Sequence, residues 1–252
     1  MMELTAADGH HFSAYRAEPP ERPKGAVVVL QEIFGIDAHI RQMADAFAGQ
    51  GYLAIAPALF ERAHKDVALG YGEADIETGL GYVRQIGLAD PLADIQAAVD
   101  AVSTAGKVAL VGYCWGGYLA YLAANRVTGL ACAIGYYGPG IAGEASEKRK
   151  VPTLLHFGAS DPLIPADAVE QFRARRPDVS AFSYSAGHGF ACAGRDGYSG
   201  DAADRALERT LAWVSQYVAG QPPIALKNAG IYAQQKVDKK KKKPAEELGP
   251  PE

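Results

Sequence analysis

The sequence predicts an α/β fold, with a mostly parallel central sheet and helices on both faces. Three observations predict it. Short apolar runs rich in valine, isoleucine and leucine alternate with helical stretches through most of the chain. Those runs are apolar throughout, as strands covered on both faces are. Several end in glycine or small-residue turns, where open α/β sheets carry their working groups.

The elements follow in order. AVVVLQ (26–31) reads as a fully buried strand. Helical spacing runs from about Ile40 to Gln50, and YLAIAP (52–57) is a second buried strand stopped by Pro57. Residues 60–88 carry Gly70, Gly72, Gly79 and Gly81 and read as a loop or small cap with one short helix. A helix is expected over 91–103, with Pro91 at its first position. KVALVGYC (107–114) is a strand running into a turn, followed by a helix from Trp115 to about Ala124. LACAIGYYG (130–138) and TLLHFGASD (153–161) read as strands, Pro165 to Arg175 as a helix, and SAFSYSAGHGF (180–190) as a strand ending in a loop. A last helix spans about Asp201 to Tyr217.

Composition bounds the function. The chain has 252 residues, 48% hydrophobic and 21% charged, with a formal net charge of −4. One globular domain over residues 1–222 is expected. The acidic balance gives no reason to expect nucleic acid or an anionic membrane as partner. The N-terminus lacks the apolar core of a signal peptide, and no apolar run reaches the roughly 20 residues of a membrane helix. Three cysteines, Cys114, Cys132 and Cys192, fit a reducing cytoplasm and no disulfide framework. A cytoplasmic monomer without cofactor or metal is the expectation. Residues 223–252 include the run Lys239 to Lys243, which repels itself and reads as a flexible, solvated tail.

Gly112-Tyr113-Cys114-Trp115-Gly116 is G-x-C-x-G, placed after a β-branched run and before a helical one. That context gives meaning to the nucleophile elbow of α/β-hydrolases, in which a strained strand-to-helix turn presents a nucleophile. Glycines on both sides let the turn approach its neighbours. The helix N-terminus behind it supplies positive potential, which should favour a thiolate at Cys114. On this fold the acid and the histidine follow the nucleophile in that order. Asp161, in GASDPLIP, and His188, in SAGHGF, both fall after strands and fit those places. His188 would move protons and Asp161 would orient it. His156, inside an apolar strand, reads as packed or hydrogen-bonded. Two amides should hold the oxyanion, that of Trp115 after the nucleophile and that of Ile33 in the loop after AVVVLQ.

QEIFGI (31–36), GYCWGG (112–117), GYYG (135–138), the Asp161 loop and AGHGF (186–190) together resemble the dienelactone hydrolase family over about residues 8–218. The resemblance implies a cysteine-dependent hydrolase that opens a lactone or small ester through a thioester. It implies Cys114 as nucleophile with Asp161 and His188. It also implies Glu32 as the carboxylate that takes the thiol proton when a substrate's charge displaces it. Independently, a carboxylate beside an oxyanion donor is costly to bury without work or a partner. Phe34, Tyr136 and Arg195 are the substrate-binding candidates. The family's carboxylate-binding arginine follows its histidine by four residues, where this chain has Cys192; Arg195 lies three further on. In the region 70–85 only Arg84, with Tyr71 or Tyr82, could match a second arginine and its tyrosine. The alternatives are a non-catalytic member binding a small molecule or protein, against which the joint presence of Glu32, Cys114, Asp161 and His188 argues, and a redox-sensing cysteine, which lacks a resolving cysteine close in sequence.

Overall fold

A computed structural model describes residues 1–220. The expected tail over 223–252 lies outside the described residues. Eight strands form one sheet in the order β1-β2-β4-β3-β5-β6-β7-β8. The strands are β1 (Met2–Thr5), β2 (His11–Ala17), β3 (Ala26–Leu30), β4 (Leu53–Pro57), β5 (Val108–Tyr113), β6 (Leu130–Tyr136), β7 (Thr153–Gly158) and β8 (Ser180–Tyr184). From β4 to β8 every neighbouring pair is parallel. The first hairpin joins antiparallel through β2 and β4.

Among the described residues six helices cover the sheet: α1 (Ala38–Gly49), α2 (Glu73–Ile86), α3 (Ala89–Val102), α4 (Trp115–Arg126), α5 (Ala166–Arg175) and α6 (Gly200–Tyr217). Alternate residues of each central strand face opposite ways. Val27, Val29 and Val111 pack with Ile40 and Phe47 of α1 and with Ala206 and Val214 of α6. Val28, Leu30 and Leu110 pack with Ile95 and Val99 of α3 and with Leu119 and Ala123 of α4. Both faces are therefore covered, which is why these strands read as unbroken apolar runs. Among the described residues, no helix is long and apolar enough to cross a membrane.

Three features differ from the sequence reading. The hairpin β1–β2 was not anticipated, although His11–Ala17 alternates exposed and buried residues, with Phe12 and Ala14 inward. Residues 60–88 hold a short 3-10 turn at Leu59–Arg62 and then the 14-residue helix α2. One of the glycines that suggested a loop, Gly79, has another cause. A Cβ on Gly79 would stand 2.0 Å from the Ile33 carbonyl oxygen, so glycine lets α2 lie directly on the loop after β3. Helix α3 also begins two residues before Pro91, at Ala89.

Candidate active site

The site assembles where β3, β5, β6, β7 and β8 end. Strand β5 stops at Tyr113, and Cys114 turns the chain into α4 with φ 52 and ψ −116. A side-chain-bearing residue is costly in this region and persists only where its surroundings hold it. The Cys114 amide donates to the Tyr136 carbonyl at 3.0 Å, and the Gly116 amide to the Gln31 carbonyl at 3.1 Å. The second bond ties the elbow to the loop after β3. A Cβ on Gly116 would lie 2.4 Å from that same Gln31 oxygen, so only glycine admits the approach. The loop is itself pinned by the Gln31 side-chain oxygen, which accepts from the Leu59 amide at 3.1 Å.

His188, in the loop after β8, stands between an acid and a thiol. Its Nδ1 is 2.8 Å from Asp161 Oδ2, and its Nε2 is 3.1 Å from Cys114 Sγ. Asp161 also accepts from the Leu163 amide at 2.8 Å, which fixes its carboxylate from the other side. With Asp161 accepting from Nδ1–H, Nε2 is left free to accept a proton. His156 lies elsewhere, bonded to Tyr184 and Thr210 inside the sheet, and burial brings its pKa down to about 3.

The electrostatics of Cys114 oppose the sequence expectation of a ready thiolate. Burial first, then the nearby Glu32 charge, pushes the thiol up to about 12; Arg195 and the Trp115 amide pull it back only in part. The helix N-terminus is present, but desolvation outweighs it. The Trp115 amide is directed at the Cys114 sulfur. Ile33 stands on the facing loop, beneath α2.

Glu32 is fully buried and ion-paired to Arg195, whose Nη1 donates to Oε1 at 3.2 Å; its other oxygen, Oε2, has no partner among the described residues. Burial raises its pKa to about 7, with Arg195 opposing and Asp37 adding to the rise. Arg195 reaches this place from the loop that carries His188, its guanidinium 5.4 Å from the centre of the Phe34 ring. Phe34 is itself fully buried and packs edge-on against Tyr71. Arg84 is exposed on α2, and Tyr82 packs on Phe60, so neither joins this group. Tyr71 does join it, donating to Asp37 Oδ2 at 2.8 Å and lying 3.4 Å from Cys192 Sγ.

Tyr136 requires correction as a substrate-binding candidate. It ends β6 with its hydroxyl bonded to Thr210 of α6 at 2.6 Å, beneath the sheet end. Its neighbour Tyr137 faces the site instead. Tyr137 has φ 36, lies edge-on to the His188 ring at 5.2 Å, and keeps a buried hydroxyl with no partner among the described residues.

The dienelactone hydrolase family model matches residues 12–218. The chain belongs to this family. Carboxymethylenebutenolidase of Pseudomonas putida is 33% identical over 233 residues, covering 88% of this chain and 98% of its own. A solved structure from Klebsiella pneumoniae superposes with TM-score 0.73 at 30% identity, covering 85% of this chain and 98% of the other. A dienelactone hydrolase-like promiscuous phosphotriesterase from metagenomic libraries, 23% identical with TM-score 0.65 and coverage of 86% and 97%, shares the fold. Membership makes this chain a hydrolase of the carboxylic ester and lactone class.

Proposed function

We propose that this dienelactone hydrolase family member opens a small, negatively charged lactone or ester by covalent catalysis at Cys114. The observation that carries the reading is the chain of contacts Asp161–His188–Cys114, at 2.8 and 3.1 Å, on a strained elbow. The name of the Pseudomonas putida relative denotes a butenolide bearing a carboxylate side arm, and an enol-lactone of that type is the favoured substrate class. Arg195, the cation beside Glu32, is the group to receive the carboxylate, with Phe34 supporting its guanidinium.

At rest the thiol is protonated. A substrate carboxylate draws Arg195 from Glu32, and Glu32 accepts the Cys114 proton through its free oxygen. Sulfur bonds to the carbonyl carbon, and the oxyanion rests on the Ile33 and Trp115 amides. Collapse breaks the ring C–O bond and leaves a thioester; the departing oxygen takes a proton from solvent, and Glu32 later returns one. Water then gives a proton to His188 Nε2 while its oxygen attacks the thioester carbon. Sulfur leaves as thiolate, takes the proton from His188, and the acid departs. No metal or cofactor enters these steps.

Turnover of a carboxylate-bearing enol-lactone by purified wild type and Cys114→Ala tests the reading. Wild type should accumulate a thioester seen by mass spectrometry, and the variant should be inert. Hydrolysis retained by Cys114→Ala would overturn it.

A further inference from the structure

Glu32 also belongs to a second group with a different chemistry. Glu32, His39 and Cys192 each offer a ligand atom, and these atoms all lie within 4.8 Å of one another. All three residues are buried, and two of them carry orphaned polar atoms: Glu32 Oε2 and His39 Nε2 have no hydrogen-bond partner among the described residues. Buried polar atoms without partners are costly and rarely left idle. His39 sits in the first turn of α1 and Cys192 in the loop after His188, so two elements meet here on the loop after β3.

We propose that Glu32, His39 and Cys192 form a site for a thiophilic divalent cation of the zinc class, and that the bound ion restrains the hydrolase. The ligand set suits the ion: one thiolate, one imidazole and one carboxylate, with a fourth position for water. Zinc bonds of about 2.0–2.3 Å require the three atoms to close by about 1 Å, within the reach of side-chain adjustment. Binding forms one bond each from carboxylate oxygen, imidazole nitrogen and sulfur, and the Cys192 thiol proton leaves to solvent. A cleft of about 160 Å³ is lined by His39 and by Ala191 and Ala193, the chain neighbours of Cys192.

One contact must yield: Tyr71 gives up its contact with Cys192. Arg195 is bonded to Glu32 Oε1 and the ion takes the unpartnered Oε2, so ion and guanidinium share one carboxylate. The consequence for turnover rests on the reading of Glu32 as proton acceptor: a carboxylate held by zinc cannot take the Cys114 proton. The site is therefore inhibitory, distinct from the Cys114–His188 pair, though both share Glu32.

The full-length protein, chelator-treated and kept reduced, is titrated with zinc by calorimetry and with cobalt by absorption. One equivalent should bind, with a near-ultraviolet thiolate-to-cobalt band. Cys192→Ser and His39→Gln should each weaken binding at least about a hundredfold, at or beyond the upper end of the roughly 10–100-fold that losing an outer-shell partner costs. Cys114→Ser should keep both the stoichiometry and the band. Circular dichroism checks each fold; Cys192→Ser changes a single atom and carries the test if His39→Gln does not fold. Binding that survives Cys192→Ser, a band that vanishes with Cys114→Ser, or no binding by wild type would each overturn the site. Zinc should also slow lactone turnover in wild type, reversibly with chelator, but not in Cys192→Ser. Zinc that binds through Cys192 without slowing turnover would keep the site and reject both its restraining effect and the role given to Glu32.

Discussion

The guanidinium of Arg195 donates to the Glu32 carboxylate at 3.2 Å, joining the loop after β8 to the loop after β3. Glu32 is buried and Arg195 is the cation that offsets its charge, so anything that draws Arg195 away leaves a carboxylate beside a thiol with a raised pKa.

Arg195→Ala should separate charged from neutral substrates. For a carboxylate-bearing lactone, KM should rise and kcat/KM fall by roughly 10–100-fold, the loss of a charge-assisted contact of about 1.5–3 kcal/mol. A neutral aryl ester should lose far less. Steady-state kinetics on both substrates reads the split; equal losses would sink the assignment of Arg195 to the substrate carboxylate.

Glu32→Gln should make stability less dependent on pH. A carboxyl whose folded pKa is raised binds more protons in the folded than in the unfolded chain, so its contribution falls as pH rises from the ordinary carboxylate range to about 7. Above that, wild type carries the full cost of a buried charge, on the order of 3 kcal/mol. Glutamine removes this, so the variant should be more stable than wild type at pH 8, with the difference shrinking toward pH 5. Thermal unfolding across that range measures it.

The same substitution should wake the thiol. Burial and the Glu32 charge hold Cys114 up at about 12, so alkylation by iodoacetamide should be slow near neutrality and rise with pH. In Glu32→Gln the repelling charge is gone, and Cys114 should alkylate faster than in wild type at pH 8. Peptide mapping distinguishes Cys114 from Cys132 and Cys192. A faster reaction in wild type would contradict the electrostatics of the site.

The fold and the chain Cys114, Asp161, His188 are legible in the sequence because each depends on local pattern. The elbow needs G-x-C-x-G at a strand-to-helix junction, and Asp161 and His188 announce themselves by following strands. What is not legible depends on distance or facing. Cys192 occupies the place where an arginine is expected, and only folding the loop shows that Arg195 reaches the same region from three residues further on. Gly79 looks like a helix breaker in the sequence and is instead the contact point of α2 with Ile33. His39 gives no sequence signal at all, since its partners Glu32 and Cys192 are brought to it by different loops.

Tyr136 and Tyr137 show why facing is hard to read, and they set the last prediction. Strand β6 ends at Tyr136, and the turn to φ 36 at the next residue sends Tyr137 toward His188. Tyr136→Phe removes a buried hydroxyl that bonds Thr210, leaving Thr210 and its contact with His156 short of a partner. It should cost about 1–3 kcal/mol of stability and change kcat little. Tyr137→Phe removes a hydroxyl that is buried and unpartnered, so the protein should gain stability or stay level. If that hydroxyl is held in reserve for the reacting group, the gain comes with a lower kcat/KM. Denaturant unfolding and kinetics on both variants decide between them. A stabilised Tyr137→Phe with undiminished kcat/KM would assign the hydroxyl no part in turnover.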